Sequence, residues 1–229
     1  MRCGLIDGME IKSPFNQNFI TNRVRKIIKE EKRVEFITIK LPSGCSGAVS
    51  ALAKIGALLI DAEPTFIYKQ GPSKSSIDRP RDYRLKFCKK IDSKPFLSLT
   101  KEMHLSRFFL DPKLSKVKAS RLWKESIKNH CEGLADRLLI AYFNDKPCGI
   151  VTLKFKDSVK LFLHIVAVLK RYQGKNVGRM MLSKIIERYA KNHDIYVETQ
   201  SVNIPAQICY QKAGFKYHSL KYILHYWRH

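Results

Sequence analysis

The feature that most constrains this chain is one buried strand, one short turn and one helix in direct succession. Residues 160–169 are apolar apart from Lys160 and His164, the pattern of a strand covered on both faces and therefore central in its sheet. A basic turn follows, Lys170-Arg171-Tyr172-Gln173-Gly174-Lys175-Asn176-Val177. A helix then opens at Gly178 and runs to Lys191, with Met181, Leu182, Ile185, Ile186 and Tyr189 on its buried face. A strand that passes straight into a helix aims successive N–H groups and the helix N-terminus at one point, which suits phosphate. Lys175 and Arg179 add charge there. The segment lacks the Gly-Lys-Ser/Thr of a P-loop and the G-x-G-x-x-G of a dinucleotide fold.

The surroundings read as alternating elements. Residues 114–131 predict an amphipathic helix with Val117, Leu122, Trp123 and Ile127 as its stripe. Residues 138–143 and 148–153 predict a hairpin turned at Asn144-Asp145-Lys146-Pro147. Ile195–Thr199 predicts the next strand, and Asn203 an N-cap for a helix over Pro205–Ala213 that Gly214 ends. Two closing strands follow, Phe215–Tyr217 and Tyr222–Trp227. Upstream, Phe36–Ile39 predicts a strand, Ala48–Ile55 a helix ended by Gly56, and Ala57–Tyr68 a strand-like segment interrupted by Pro64. Residues 70–94, rich in Lys, Arg, Ser and Pro, read as a linker. Both short helices end in Lys-x-Gly, at Lys54–Gly56 and Lys212–Gly214, an internal echo of a repeated unit. The fold class is mixed α/β.

Composition narrows the class. In 229 residues, 45% hydrophobic and 28% charged, a packed core is affordable and wholesale disorder is excluded. Lys and Arg number 43 against 20 acids, a formal charge of +23, which favours anionic partners without choosing among them. No apolar run is long enough to span a membrane, and Met1–Gly8 lacks the apolar block of a signal peptide. The six cysteines form no C-x-x-C pair and do not cluster with histidines, so free thiols, no metal site and a cytoplasmic location are expected. The aromatics fall in strand segments, and no nucleic-acid-binding motif is present, so no nucleic-acid partner is expected.

The turn resembles the coenzyme A loop of the GNAT N-acetyltransferase superfamily, Gln/Arg-x-x-Gly-x-Gly/Ala. Gln173, Val177 and Gly178 match, with Gly174 and Lys175 as common companions. Asn176 replaces the usual first glycine, and asparagine is the residue that best follows glycine into left-handed backbone. A second segment, Asn203-Ile204-Pro205-Ala206-Gln207-Ile208-Cys209-Tyr210-Gln211-Lys212-Ala213-Gly214-Phe215, is similar to the superfamily's Asn-x-x-Ala-x-x-x-Tyr-x-x-x-Gly-Phe. Ser106–Asp111, Thr199-Gln200 and Tyr222–Trp227 look like its nucleotide-sugar branch, most of all the bacterial dTDP-fucosamine acetyltransferases. The likeness is specific over 160–227 and rests on layout over 1–100.

The resemblance implies a GNAT fold over residues 91–229, a central mixed sheet flanked by helices. A smaller, degenerate αβ half, partial and GNAT-like, would precede it over 1–90 and support the substrate. It implies acetyl-CoA as co-substrate, no metal, and a small-molecule nucleotide sugar as acceptor. Val166, Ala167 and Val168 would line the thioester, with the Val168 N–H on its oxygen. Gln173, Gly174, Lys175, Asn176, Val177, Gly178 and Arg179 would hold the pyrophosphate, and Asn203 and Ala206 the pantetheine arm. Tyr210 would protonate the leaving thiolate.

For the base, His164 shares a strand phase with Val166 and Val168, against the alternatives of a packed histidine, of Glu198 and of water. Arg107, Asp111 and His225 are the substrate-binding candidates, against an exposed salt bridge for the first two and simple packing for the third. Acetylation of a protein amino group or another small amine stays open, as does a basic nucleic-acid-binding module. A homodimer is compatible with the pattern.

Overall fold

The structure, a computed structural model, describes residues 3–6, 17–30, 34–72 and 80–228. Parts of Met1–Gly8 and of the 70–94 stretch therefore lie outside the described residues. In chain order the elements are β1 (Cys3–Ile6), α1 (Gln17–Glu30), β2 (Phe36–Pro42), α2 (Ser46–Ala53), β3 (Leu58–Tyr68) and β4 (Tyr83–Cys88). A 3-10 helix (Lys94–Glu102), α3 (Arg107–Leu110) and α4 (Lys116–Asn129) precede β5 (Arg137–Phe143), β6 (Lys146–Phe155) and β7 (Lys160–Val168). The last elements are α5 (Val177–Tyr189), β8 (Asp194–Glu198), α6 (Ile204–Lys212) and β9 (Lys216–Trp227).

The chain forms two compact units, Met1–Pro64 with Ser219–His229, and Thr65–His218. Residue 90, the boundary taken from the sequence, lies inside the second. In the first unit β1 pairs parallel with β2, and β2 antiparallel with the end of β9. Ile20, Val24 and Ile28 recur at a four-residue spacing along α1 and bury against Ile37, Ile39 and Leu41 of β2, with Leu52 of α2.

In the second unit the sheet runs β3, β8, β7, β6, β5, β4. Only β7 and β8 pair in parallel there, because α5 carries the chain across between them. One face packs on α5 and α6 through Leu161, Leu163, Met181, Leu182, Ile185 and Ile186. The other packs on the 3-10 helix and α4 through Phe96, Leu99, Ile127, Ile165 and Ala167. The β5–β6 turn places Asn144 and Asp145 at φ 44° and 59°, the primed geometry that fits strand twist.

The internal echo extends through this architecture. Both short helices end in a Schellman motif: Ala57 N–H donates to Leu52 O at 3.1 Å and Phe215 N–H to Tyr210 O at 3.0 Å, with Gly56 and Gly214 at φ +92° and +94°. Parallel strand, helix, strand, short helix and long strand recur as β1-α1-β2-α2-β3 and β7-α5-β8-α6-β9. Leu52 holds the position of Tyr210, and Cys45, which makes no side-chain cap bond, that of Asn203.

Several local expectations are corrected. The stretch read as a linker contains β4, whose Tyr83, Leu85 and Phe87 alternate with Arg84 and Lys86 and pair with β5. Pro64 does not interrupt β3, and the two closing strands are one, β9. Val117 is 80% exposed and stands outside the buried face of α4. Both β1 and α1 went unread in the sequence.

Candidate active site

The site is built where β7 leaves β8. Their register runs from Lys160↔Asp194 to Leu163↔Val197, whereas β7 continues to Val168. A β-bulge causes the parting. On the other side of β7, Thr152 pairs with Ile165 and Leu153 with Leu163, so His164 is the extra residue. Thr152 holds the bulge by accepting the Ile165 N–H on its Oγ1 at 3.0 Å.

A bulge exchanges the faces of a strand. Leu161 and Leu163 pack on the α5 side; beyond the bulge Ile165 and Ala167 pack on the α4 side, and Val166 and Val168 turn toward α5. The expectation that His164 shares a phase with Val166 and Val168 is therefore corrected. Its exposed ring lies beside Phe162 and His130, at centroid distances of 6.5 and 5.8 Å.

The turn after β7 is fixed by its own side chains. Gln173 Nε2 donates to the Val168 carbonyl at 3.0 Å and to Glu102 Oε2 at 3.2 Å. Tyr172 is buried against Phe143, and the Arg171 guanidinium lies 4.8 Å from its ring centre. Gly174 has φ +75°, with open space where a side chain would sit, so backbone angle rather than room calls for glycine. Asn176 has φ 59° and ψ 9°, the left-handed conformation expected of it.

The first intrahelical bond of α5 is donated by Met180 to Asn176 O at 2.9 Å. The N–H groups of Val177, Gly178 and Arg179 thus emerge at the helix end, where they attract an anion. Lys175 and Gly174 are exposed beside them. Arg179 Nε is buried and has no hydrogen-bond partner among the described residues.

The helix α6 brings the second motif alongside. Asn203 caps it by accepting the Ala206 N–H on Oδ1 at 3.3 Å, as the sequence predicts, and its side-chain amide stays available as a donor. Ala206 and Cys209 pack against the α5-side core, and Tyr210 is 4% exposed between Phe66 and Phe215. Burial pushes the Tyr210 phenol far above its ordinary value, with Cys209 adding to the shift. The hydroxyl is held in its protonated form.

The substrate candidates stand on other elements. Arg107 lies on α3 with its guanidinium 4.7 Å from the Phe108 ring centre. Asp111 is 2% exposed and accepts the Lys113 N–H at 2.8 Å, so its carboxylate is buried where the sequence reading weighed an exposed one. Trp123 of α4 secures this segment by donating to Ser106 Oγ at 2.7 Å. His225 belongs to the first unit, fully buried and edge-on to Phe36 at 4.6 Å. His130, which sequence reasoning missed, joins His164 from the end of α4; no local motif announces it.

The profile of the Acetyltransferase (GNAT) family matches residues 100–215, just over half of the chain. The chain belongs to the GNAT acetyltransferase family. A spore coat polysaccharide biosynthesis protein, SpsD of Bacillus subtilis (strain 168), is 24% identical over 209 residues, 87% of this chain and 69% of that protein. A GCN5-related N-acetyltransferase from Sphaerobacter thermophilus matches this GNAT protein with a TM-score of 0.63 at 10% identity, over 92% of this chain and 67% of the other. A functionally unknown conserved protein from Staphylococcus epidermidis ATCC 12228 matches with a TM-score of 0.66 at 16% identity, over 93% and 82%. The likeness to the two structures is one of fold. Acetyl transfer from acetyl-CoA is the chemistry of the family.

Proposed function

We propose that this GNAT acetyltransferase moves the acetyl group of acetyl-CoA to the 4-amino group of a dTDP-4-amino-4,6-dideoxy sugar, in the cytoplasm, for surface polysaccharide synthesis. The observation that carries acetyl transfer is the parting of β7 from β8 beside the left-handed Asn176 turn and buried Tyr210. The sugar is supported by the likeness to SpsD and by the resemblance of Ser106–Asp111 and Tyr222–Trp227 to the nucleotide-sugar branch.

In this reading the emergent N–H groups of Val177, Gly178 and Arg179, with Lys175, bind pyrophosphate. The parted edge of β7, Val166 to Val168, receives the thioester, and the Val168 N–H stabilises its oxygen as negative charge develops. The amine attacks the carbonyl directly in a ternary complex. The C–S bond breaks as the C–N bond forms, and Tyr210 gives its proton to the thiolate. Arg107 contacts the sugar nucleotide, and buried Asp111 orders the same segment through the Lys113 N–H.

The test is release of CoA thiol from acetyl-CoA with dTDP-4-amino-4,6-dideoxygalactose, beside a panel of amines and peptides and with Tyr210→Phe as control. Turnover confined to the sugar, and at least about 10²-fold slower in the Phe variant, supports the reading. Turnover of another amine alone overturns the sugar assignment; absence of acetyl-CoA binding overturns the enzyme.

A further inference from the structure

Two histidines from distant parts of the chain meet on the sheet face opposite α5. His164 is the bulged residue of β7, at the point where that strand leaves β8. His130 opens the turn that ends α4, His130–Leu134, which Gly133 closes at φ 129°. The rings lie 5.8 Å apart between centroids with planes at 47°, a separation that one bridging water spans for a proton. His164 is exposed and His130 half-buried behind it.

The tautomer of His130 follows from its partner. Its Nδ1 lies 2.8 Å from the Ser126 carbonyl, which can only accept. Nδ1 therefore carries the hydrogen, and Nε2 of the neutral ring is a lone-pair acceptor. Next to His164, Phe162 stacks on Tyr196 of β8 at 4.9 Å and 12°, an apolar floor at the same opening.

The structure assigns to this pair the passage of the acceptor's proton: His164 takes it from the attacking amine, and His130 Nε2 takes the proton that His164 releases from its other nitrogen. The assignment rests on the reading of the protein as an amine acetyltransferase and adds His130 to it. As the amine nitrogen bonds the acetyl carbon, its N–H bond breaks and the proton goes to His164. The second ring proton of His164 then passes to a bridging water, which gives one of its own to His130 Nε2, while the Nδ1–H of His130 stays on the Ser126 carbonyl. The sulfur leaves with its bonding pair and takes the proton of Tyr210. His130 returns its proton to solvent and Tyr210 is reprotonated from it, so protons balance over the cycle.

The charged groups around His130 set how briefly it holds a proton. Lys154 of β6 faces it, held by Asp136 at 3.0 Å; His164 faces it from β7, and Glu132 stands on its own turn. Burial, and secondarily the charge of Lys154, hold the His130 ring below the ordinary histidine value of 6.5 against the opposing Ser126 bond. At neutral pH it rests uncharged and gives up quickly a proton passed to it.

The test compares wild type, His130→Gln, His164→Gln and the double variant in two measurements. The first is the pH dependence of CoA release with acetyl-CoA and dTDP-4-amino-4,6-dideoxygalactose. The second is histidine side-chain NMR without acceptor. His130→Gln is expected to lower kcat by about 10²-fold, to displace the acid limb of kcat/KM, and to leave the acetyl-CoA KM and the melting temperature in place. The double variant should be little slower than His164→Gln, because the two act as a unit. The NMR should show a proton on His130 Nδ1 and a His130 titration that moves when residue 164 becomes glutamine.

An unchanged pH profile, an equal loss at every pH, or a His130 titration indifferent to position 164 overturns the relay. Should the wild type fail to turn over the sugar, the substrate reading falls, and the NMR measurement alone decides the histidine pair.

Discussion

A methyl group placed on the α-carbon of Gly178 would stand 3.3 Å from the sulfur of Cys209. The first turn of α5 and the middle of α6 thus meet where one of them carries only hydrogen, which brings the unpaired N–H groups of the α5 end beside the helix of Tyr210. Gly178→Ala should be tolerated with a small loss. Gly178→Val should cost about 1–3 kcal/mol by overpacking. Cys209→Ala should return much of that, giving a coupling of about 0.5–3 kcal/mol in a urea double-mutant cycle. Strict additivity would contradict the contact.

Asn176 should behave as a substitute glycine. With φ 59° it occupies the region that costs other residues roughly 1–2 kcal/mol, and β-branched ones most. Asn176→Gly should keep stability and the acetyl-CoA KM close to wild type. Asn176→Val should lower the melting temperature and raise that KM several-fold with a smaller effect on kcat. Isothermal titration with CoA, free of any acceptor, checks the binding part.

Tyr210 links stability to alkaline pH. Its phenol has a higher pKa folded than the ordinary 10 it regains on unfolding, because burial disfavours the phenolate. The stability it contributes is complete below about pH 10 and is lost as pH rises toward the folded value, at about 1.4 kcal/mol per pH unit. Urea unfolding across that range should fall more steeply for wild type than for Tyr210→Phe. The other tyrosines cancel in the comparison, and parallel curves would refute the burial.

In the first unit, Lys40 Nζ lies 2.7 Å from Glu63 Oε2, with the two side chains 9% and 6% exposed. Removing one member leaves the other charge buried, so Lys40→Met should cost about 3–5 kcal/mol. Lys40→Met with Glu63→Leu should cost less than Lys40→Met alone. A double variant worse than the single would show that Glu63 stabilises the unit through more than Lys40.

The segment from β7 through its turn to α5 was legible because its parts are neighbours in the chain. Apolar continuity marked the strand, glycine and asparagine the turn, and helical periodicity the buried face. The same holds for Asn203 as a cap and Tyr210 seven residues further along α6, where local spacing decides which residues share a side. Strand β4 was hidden by basic residues on its outer face, whose charge resembles that of a linker until β5 supplies a partner. Pro64 misled because a strand tolerates proline wherever no ladder hydrogen bond is required of it.

The sequence by itself therefore determined the fold class, the left-handed loop that opens α5 and the helix that carries the phenol. Tertiary structure alone decided the face to which His164 turns. A bulge is a mismatch between two strands, created by how Leu153 and Thr152 of β6 pair across β7, and period-two reasoning along one strand cannot register it. It also brought His130 to His164, a contact made by packing α4 over the sheet. Proximity between residues far apart in sequence exists only once the conformational entropy of the intervening chain has been overcome by the burial of its core.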